Sequence, residues 1–134
     1  MHKDQVRMFY EVLWNANDRE EMPSILHEDF TFRGSLGLEK RGHKGFGEYV
    51  DMVHAALDDY RCLIEDLIEE GDKVFAKMTF TGVHRDKFMG YPPSYKRLAW
   101  QGCALFTFKD NRISNLWVLG DLKGLEDQLK KNET

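Results

Sequence analysis

Apolar residues recur at helical spacing in the first half of the chain. One face of a first helix is formed by Val6, Phe9, Tyr10, Leu13 and Trp14, at positions i, i+3, i+4, i+7 and i+8. Asp18 and Glu21 have the spacing of a capping box, which predicts a short second helix ending near Leu26. Helical spacing returns from His43 to Leu57, so the first part of the chain is predicted to be mainly helical.

Apolar and polar residues alternate in the second half, which predicts strands. The four long runs are Tyr60–Glu69, Lys73–His84, Leu98–Phe108 and Arg112–Gly120. Turn-forming residues separate the first run from the second, at Gly71, and the third from the fourth, at Asp110-Asn111. Each of these two pairs of runs is therefore predicted to form a hairpin. A short strand is predicted at Phe30–Arg33, where Phe30 and Phe32 alternate with polar residues, and a short amphipathic helix at Leu122–Lys131. Helices followed by antiparallel hairpins indicate an α+β fold, with a sheet that curls around the helices and leaves a concave mouth.

Composition narrows the class of protein. The 134 residues are 42% hydrophobic and 13% aromatic, which predicts one domain, 1–134, with a genuine core. The net charge of −4 argues against nucleic acid as the partner. The chain has no apolar run long enough for a membrane span, and its start resembles no secretion signal, so we expect a cytoplasmic protein without a membrane partner. Cys62 and Cys103 lack metal or redox spacing and are expected to be buried free thiols.

Asp121 is the main candidate for chemistry. It follows the last predicted strand and shares a strand face with Ile113, Asn115, Trp117 and Leu119. If this face lines the cavity, loss of water would raise the pKa of Asp121 toward the range of a general acid or base. Asp121 also directly precedes the terminal helix, where its carboxylate would act as an N-cap and be chemically inert. The residues alone leave both interpretations open.

Three more polar residues are candidates with an alternative each. His84 ends a strand and is either a second acid–base group, a residue that orients a ligand oxygen, or a residue that hydrogen-bonds the following loop. Gln101 is a pocket residue or faces solvent, and Arg33 binds an anionic ligand oxygen or forms a surface ion pair. No metal-binding, phosphate-binding or serine-nucleophile motif is present, so we expect neither a metal nor a cofactor.

Several segments together resemble the SnoaL-like polyketide cyclases. They are Phe9–Asn15, Asp29-Phe30, Gly45-Phe46, Ile64–Val74, Thr81–His84 with Phe88–Ser94, Arg112–Trp117, Asp121 and Gly124-Leu125. The Thr81-to-Ser94 stretch is the most specific of them, and the resemblance covers nearly the whole chain. One departure is Arg33, which stands where many relatives carry histidine.

The resemblance implies a nuclear-transport-factor-2-like fold, a cone of curved antiparallel sheet packed against N-terminal helices. Relatives form homodimers or homotetramers, and the name-giving members close a polyketide ring by aldol condensation without a cofactor. Asp121 matches their catalytic aspartate. We therefore expect a lyase- or isomerase-like enzyme for a small hydrophobic carbonyl compound. Asp121 would be its general acid and base, and His84, Gln101 and Arg33 would polarise or orient the substrate. The expected apolar walls are Trp14, Phe30, Tyr49, Trp100 and Trp117. The alternative function is a non-catalytic ligand-binding or dimerisation module.

Overall fold

The computed structural model describes residues 2–133. The helices are α1 His2–Met8, continued by a π-helical segment Phe9–Asn15, then α2 Met22–Ile25, α3 Gly42–Ala56 and α4 Leu122–Lys131. The strands are β1 Leu26–Arg33, β2 Glu39–Arg41, β3 Leu57–Glu70, β4 Lys73–His84, β5 Arg97–Lys109 and β6 Arg112–Gly120.

The strands form one six-stranded curved sheet in the order β2-β1-β6-β5-β4-β3. The α+β fold predicted from the sequence is therefore confirmed. The sheet is mixed, however, because β1 pairs with β6 in parallel while the other pairs are antiparallel. A strand from the helical half of the chain thus joins the hairpins of the second half, a long-range pairing that local alternation does not reveal.

Local patterns place most elements well and two poorly. The bounds of β4 and α4 agree with the prediction, because both have unbroken periodicity. The predicted capping box at Asp18 and Glu21 is wrong, since Asp18 Oδ1 accepts from the Glu20 N–H and α2 begins without a side-chain cap. The glycine-rich loop also contains β2, which pairs with the end of β1.

The core lies between the concave face of the sheet and the helices. Phe9, Phe30 and Phe46 are fully buried, and Phe46 contacts Phe9 at a tilt and Phe30 edge-on, which joins the π-helical segment, β1 and α3. Along β4, every second residue from Val74 to His84 is buried, as the alternation predicts.

A β-bulge in β6 changes which residues face this core. Thr107 pairs with Asn115 but its neighbour Phe108 pairs with Ile113, so Ser114 is an extra residue on β6. Ile113 and Leu116 are consequently both buried, and the residues after the bulge face opposite to the simple alternation.

Candidate functional site

An aromatic cavity opens between the helices and the concave face of the sheet. Its rings come from the π-helical segment, β1, α3, β3, β4, β5 and the loop after β4, and are Phe9, Tyr10, Trp14, Phe32, Tyr49, Tyr60, Phe80, Phe88 and Trp100. Leu116 and Val118 of β6 complete the floor, and Ser35 and Leu36 lie at the turn after β1. The cavity is narrow. Its free volume is about 20 Å³, which is room for about one water molecule.

Two polar atoms in this apolar wall have no partner among the described residues. They are the hydroxyl oxygen of Tyr10 and the indole nitrogen of Trp100, and both are fully buried. Burial raises the pKa of Tyr10 well above its usual value, so the hydroxyl keeps its proton and remains a donor. A buried polar group without a partner costs about 1–3 kcal/mol. These two atoms are therefore the groups in the cavity that would gain most from a ligand oxygen.

Gly120 keeps the Trp100 nitrogen uncovered. A Cβ at Gly120 would lie 3.3 Å from Trp100 Nε1 and 3.1 Å from the carbonyl oxygen of Ser35. A side chain at this position would therefore crowd the donor and the neighbouring turn. The glycine brings the end of β6 against the cavity wall.

Tyr49 differs from Tyr10 although both line the same cavity. Its hydroxyl accepts a hydrogen bond from the Leu36 N–H at 3.3 Å, and so ties α3 to the turn after β1. Burial raises the pKa of Tyr49, and the contacts with Leu36 and Ser35 oppose that rise. This tyrosine therefore has a structural hydrogen bond, whereas the Tyr10 hydroxyl has none to any residue that the structure describes.

Asp121 lies outside the cavity wall. Its side chain is exposed, and its Oδ1 accepts from the Gly124 N–H at 2.9 Å, which makes it the N-cap of α4. The expectation of a poorly hydrated site beside Trp117 and Leu119 is wrong. The bulge at Ser114 is the physical reason, because it turns this set of side chains away from the cavity.

Trp117, Gln101 and Arg33 also lie on the outer side of the sheet. Trp117 is 42% exposed and Gln101 is exposed as well, so neither lines the cavity. The Arg33 guanidinium lies 5.6 Å from the centre of the Trp117 ring and donates to the carbonyl oxygen of Val118. The predicted surface ion pair of Arg33 is not formed among the described residues either; its partners are a ring and a backbone oxygen.

The other predicted wall residues divide between cavity and core. Trp14, Tyr49 and Trp100 line the cavity. Phe30 is fully buried against Phe32 and does not reach the cavity. Substrate binding by these wall residues stays a prediction.

His84 is buried behind the cavity wall. It is 1% exposed, its Nδ1 lies 3.3 Å from Ser94 Oγ, and its Nε2 has no partner among the described residues. The contact with Ser94 agrees with the alternative in which His84 hydrogen-bonds its loop. Its position on the concave face also keeps it near the cavity.

Sequence reasoning missed Tyr10 and Phe88 as cavity residues. Tyr10 was assigned only to a helical face, and its ring lines the cavity beside those of Phe9 and Trp14 on the same segment. Phe88 belongs to the Thr81-to-Ser94 stretch, the most specific part of the family resemblance, and its place there was the signal that could have identified it as a cavity residue. Cys62 is buried and Cys103 only partly so; both are free thiols.

The described part of the chain contains no group of three or more His, Cys, Asp or Glu side chains that could hold a metal ion. Within residues 2–133, no helix has the length and apolar character needed to cross a membrane.

A curved sheet wrapped around N-terminal helices, with an aromatic cavity inside, defines the nuclear-transport-factor-2-like class. Within it, the chain belongs to the SnoaL-like polyketide cyclase family, whose model matches residues 4–129. No curated protein matches the sequence.

Solved structures of similar fold come from several bacteria. TsrD from Streptomyces laurentii has a TM-score of 0.84 at 26% identity, with 95% of this chain and 92% of that chain covered. IdmH from Streptomyces antibioticus, a candidate polyketide cyclase, has a TM-score of 0.84 at 22% identity over 97% of this chain and 99% of that one. A candidate polyketide cyclase from Acidithiobacillus ferrooxidans has a TM-score of 0.86 at 23% identity over 98% and 95%.

Proposed function

We propose that this SnoaL-like protein binds a small hydrophobic compound with a carbonyl or similar oxygen in the aromatic cavity. One observation carries the proposal: Tyr10 and Trp100 line an apolar cavity, and neither the Tyr10 hydroxyl nor the Trp100 indole nitrogen has a hydrogen-bond partner among residues 2–133. A ligand oxygen would accept from either donor while the surrounding rings bury its apolar part. The narrow cavity must widen for this, so binding includes movement of a wall.

Binding is tested with methyl naphthyl ketone and a matched pair of tryptophan variants. Trp100→Phe removes the cavity donor and keeps an aromatic ring, whereas Trp117→Phe makes the same change on the outer side of the sheet. By titration calorimetry, Trp100→Phe should weaken binding about tenfold, the value of one hydrogen bond to a ligand. Trp117→Phe should bind like the original protein. Equal losses in both variants, or no binding to the original protein, would overturn the proposal.

The second candidate function is cyclase-type proton transfer, a lyase or isomerase activity with Asp121 as acid and base. It is favoured by the position of Gly120, which immediately precedes Asp121 and where a Cβ would lie 3.3 Å from Trp100 Nε1. Two of the compared structures also belong to candidate polyketide cyclases. The Asp121 carboxylate would have to leave the Gly124 N–H and turn toward the cavity mouth. A base and an oxyanion donor are enough for proton removal beside a carbonyl, so the reaction needs no cofactor.

Proton transfer is measured as exchange of the methyl hydrogens of methyl naphthyl ketone in heavy water, followed by NMR. Asp121→Asn and Asp121→Ser both keep an N-cap of similar strength, so the fold should be unaffected. If Asp121 is the base, both variants lose exchange but still bind the ketone. Exchange that persists in Asp121→Asn removes this function and leaves the binding function standing.

Self-association, as a homodimer or homotetramer, is also part of the proposal. The outer face of the sheet has an apolar row that crosses four strands through the paired residues Ile68, Phe75, Leu105 and Trp117, and all four are exposed. Exposed apolar rows of this kind favour burial against another surface. Leu105→Glu should lower the mass measured by sedimentation, and an unchanged mass would contradict this surface.

A cytoplasmic location completes the proposal. Cys62 and Cys103 are free thiols on different strands, β3 and β5, with β4 between them. Unpaired thiols are typical of a reducing compartment.

A further inference from the structure

His84 is a buried imidazole with one unused nitrogen. It stands at the end of β4 on the same strand face as Phe80, which lines the cavity. Its Nδ1 is 3.3 Å from Ser94 Oγ, and its Nε2 has no partner among residues 2–133. Buried polar atoms are nearly always hydrogen-bonded, so an unused one needs an explanation.

The contacts of Ser94 indicate what the unused nitrogen offers. Ser94 Oγ accepts from the Lys96 N–H at 3.3 Å and lies 3.3 Å from His84 Nδ1, so its own hydrogen is free to be donated to that nitrogen. In the tautomer in which Ser94 donates to Nδ1, the imidazole hydrogen is on Nε2, and His84 presents a donor to a ligand oxygen as Tyr10 and Trp100 do.

Phe88 stands between His84 and the cavity. Its ring is 6.3 Å from the imidazole centre and 6.3 Å from the Trp100 ring, and it forms part of the cavity wall. Of the rings that line the cavity, Phe88 is the one whose ring contact with His84 the structure describes. Displacement of this one ring would extend the cavity to the imidazole.

Phe88 is carried by a turn that closes on itself. The Phe88 N–H donates to the Tyr91 carbonyl at 3.0 Å and the Tyr91 N–H donates back at 2.9 Å. Met89 and Gly90, between them, have positive φ of 51° and 85°, as in a two-residue hairpin turn of type I′. The backbone bonds that the structure describes for Phe88 and Tyr91 are thus internal, and the turn can move as a unit without breaking them.

We propose that the turn Phe88–Tyr91 is a gate and that its outward movement brings His84 Nε2 into the cavity as a second polar contact for the ligand. The inference rests on the proposed ligand-binding function. It also supplies the wall movement that the narrow cavity requires, since Phe88 belongs to a surface loop while most other rings belong to helices and long strands.

The distance along the strands sets the kind of ligand that contacts both the Trp100 nitrogen and His84 Nε2. Trp100 pairs with Phe80 on β4, four residues before His84, which is about 13 Å along a strand. A compound that reaches both ends is elongated and carries an oxygen acceptor at each end. A compound with one oxygen would use the Tyr10 and Trp100 end alone.

The gate is tested without a ligand, by labelling histidines with diethyl pyrocarbonate and locating the label by mass spectrometry. His84 should be protected in the original protein. In Phe88→Ala its labelling should rise at least about tenfold, because truncation of a buried ring weakens the packing that closes the cavity. Met89→Ala changes an exposed side chain of the same turn and should have no effect.

His27 serves as the reference in this experiment, since it is also buried and lies on β1. Labelling of His27 in a variant would mean general unfolding, and Phe88→Leu, which keeps an apolar side chain, then replaces Phe88→Ala. If His84 stays protected in the folded Phe88 variants, the gate is refuted.

The ligand contact is tested with two anthraquinones, one with a single hydroxyl group and one with a hydroxyl at each end. His84→Leu should weaken binding of the doubly substituted compound about tenfold, the value of one hydrogen bond, and leave the other nearly unchanged. Equal effects on the two would refute the His84 contact while the cavity function stands. If neither compound binds the original protein, the proposed function fails together with the contact, and histidine labelling still decides the gate.

Discussion

Removal of the Tyr10 hydroxyl should stabilise the protein. Tyr10→Phe keeps the ring that packs edge-on against Phe9 and Phe106 and removes only a buried oxygen that has no partner in the described part of the chain. A buried unpaired polar group costs about 1–3 kcal/mol, so we expect the free energy of unfolding to rise by about 1 kcal/mol. For a chain of this size that corresponds to roughly 3–5 °C in Tm.

Tyr49→Phe is the matched control, because Tyr49 lines the same cavity and is buried to a similar degree. Its hydroxyl accepts from the Leu36 N–H, so its removal leaves that donor unpaired and should cost about 1 kcal/mol. The same chemical change should therefore have opposite signs at the two positions. Urea unfolding with an unchanged m-value measures both differences.

Ligand binding should change in the reverse direction at Tyr10. Tyr10→Phe, the more stable variant, should bind methyl naphthyl ketone about tenfold more weakly, because a ligand hydrogen bond is lost. A Tyr10→Phe protein that is destabilised as much as Tyr49→Phe would refute the reasoning. Such a loss of stability would mean that the Tyr10 hydroxyl is hydrogen-bonded within the folded protein and is not available to a ligand.

Three further predictions concern other sites. In Gly124→Ala, a Cβ would lie 2.4 Å from the Asp121 carboxylate and would displace that N-cap, whereas alanine itself favours the helix. The two effects oppose each other, so the free energy of unfolding should change by less than about 0.5 kcal/mol. A loss well above this, measured by urea unfolding, would contradict the prediction. Burial lowers the pKa of His54 below 6.5, so the unfolded state binds more protons and stability should fall as the pH drops below about 6.5. Urea titrations at several pH values should show a smaller fall in His54→Gln, and an equal fall would count against the assignment. Burial raises the pKa of the Cys62 thiol, so iodoacetamide should modify the partly exposed Cys103 first, and equal rates by mass spectrometry would oppose this.

Local periodicity was enough for the elements that the sequence predicts well. The alternation along Lys73–His84 and the helical spacing along Leu122–Lys131 depend only on neighbouring residues, and both elements have the predicted bounds. The parallel pairing of β1 with β6 joins residues more than 80 positions apart, such as Arg33 and Trp117. No local pattern contains that information.

The candidate site was predicted less well for a related reason. Asp121 and Trp117 were placed in the cavity by counting alternate residues from Ile113, and one bulged residue, Ser114, reverses the count. Tyr10 was missed because a helical face predicts burial but not whether a buried hydroxyl finds a partner. Whether such a group is paired is decided by the tertiary arrangement of three or four elements.

The bulge at Ser114 also has an evolutionary consequence. Deletion of this one codon would make Ile113 and Asn115 neighbours, opposite the neighbours Phe108 and Thr107, so Leu116 and Val118 would still face the cavity and Trp117 would still face outward. The strand can therefore lose one residue at this position without any change in its cavity floor. Loss of one residue further along β6, between Leu116 and Gly120, has no bulge to absorb it and would turn the side chains that follow it to the opposite face.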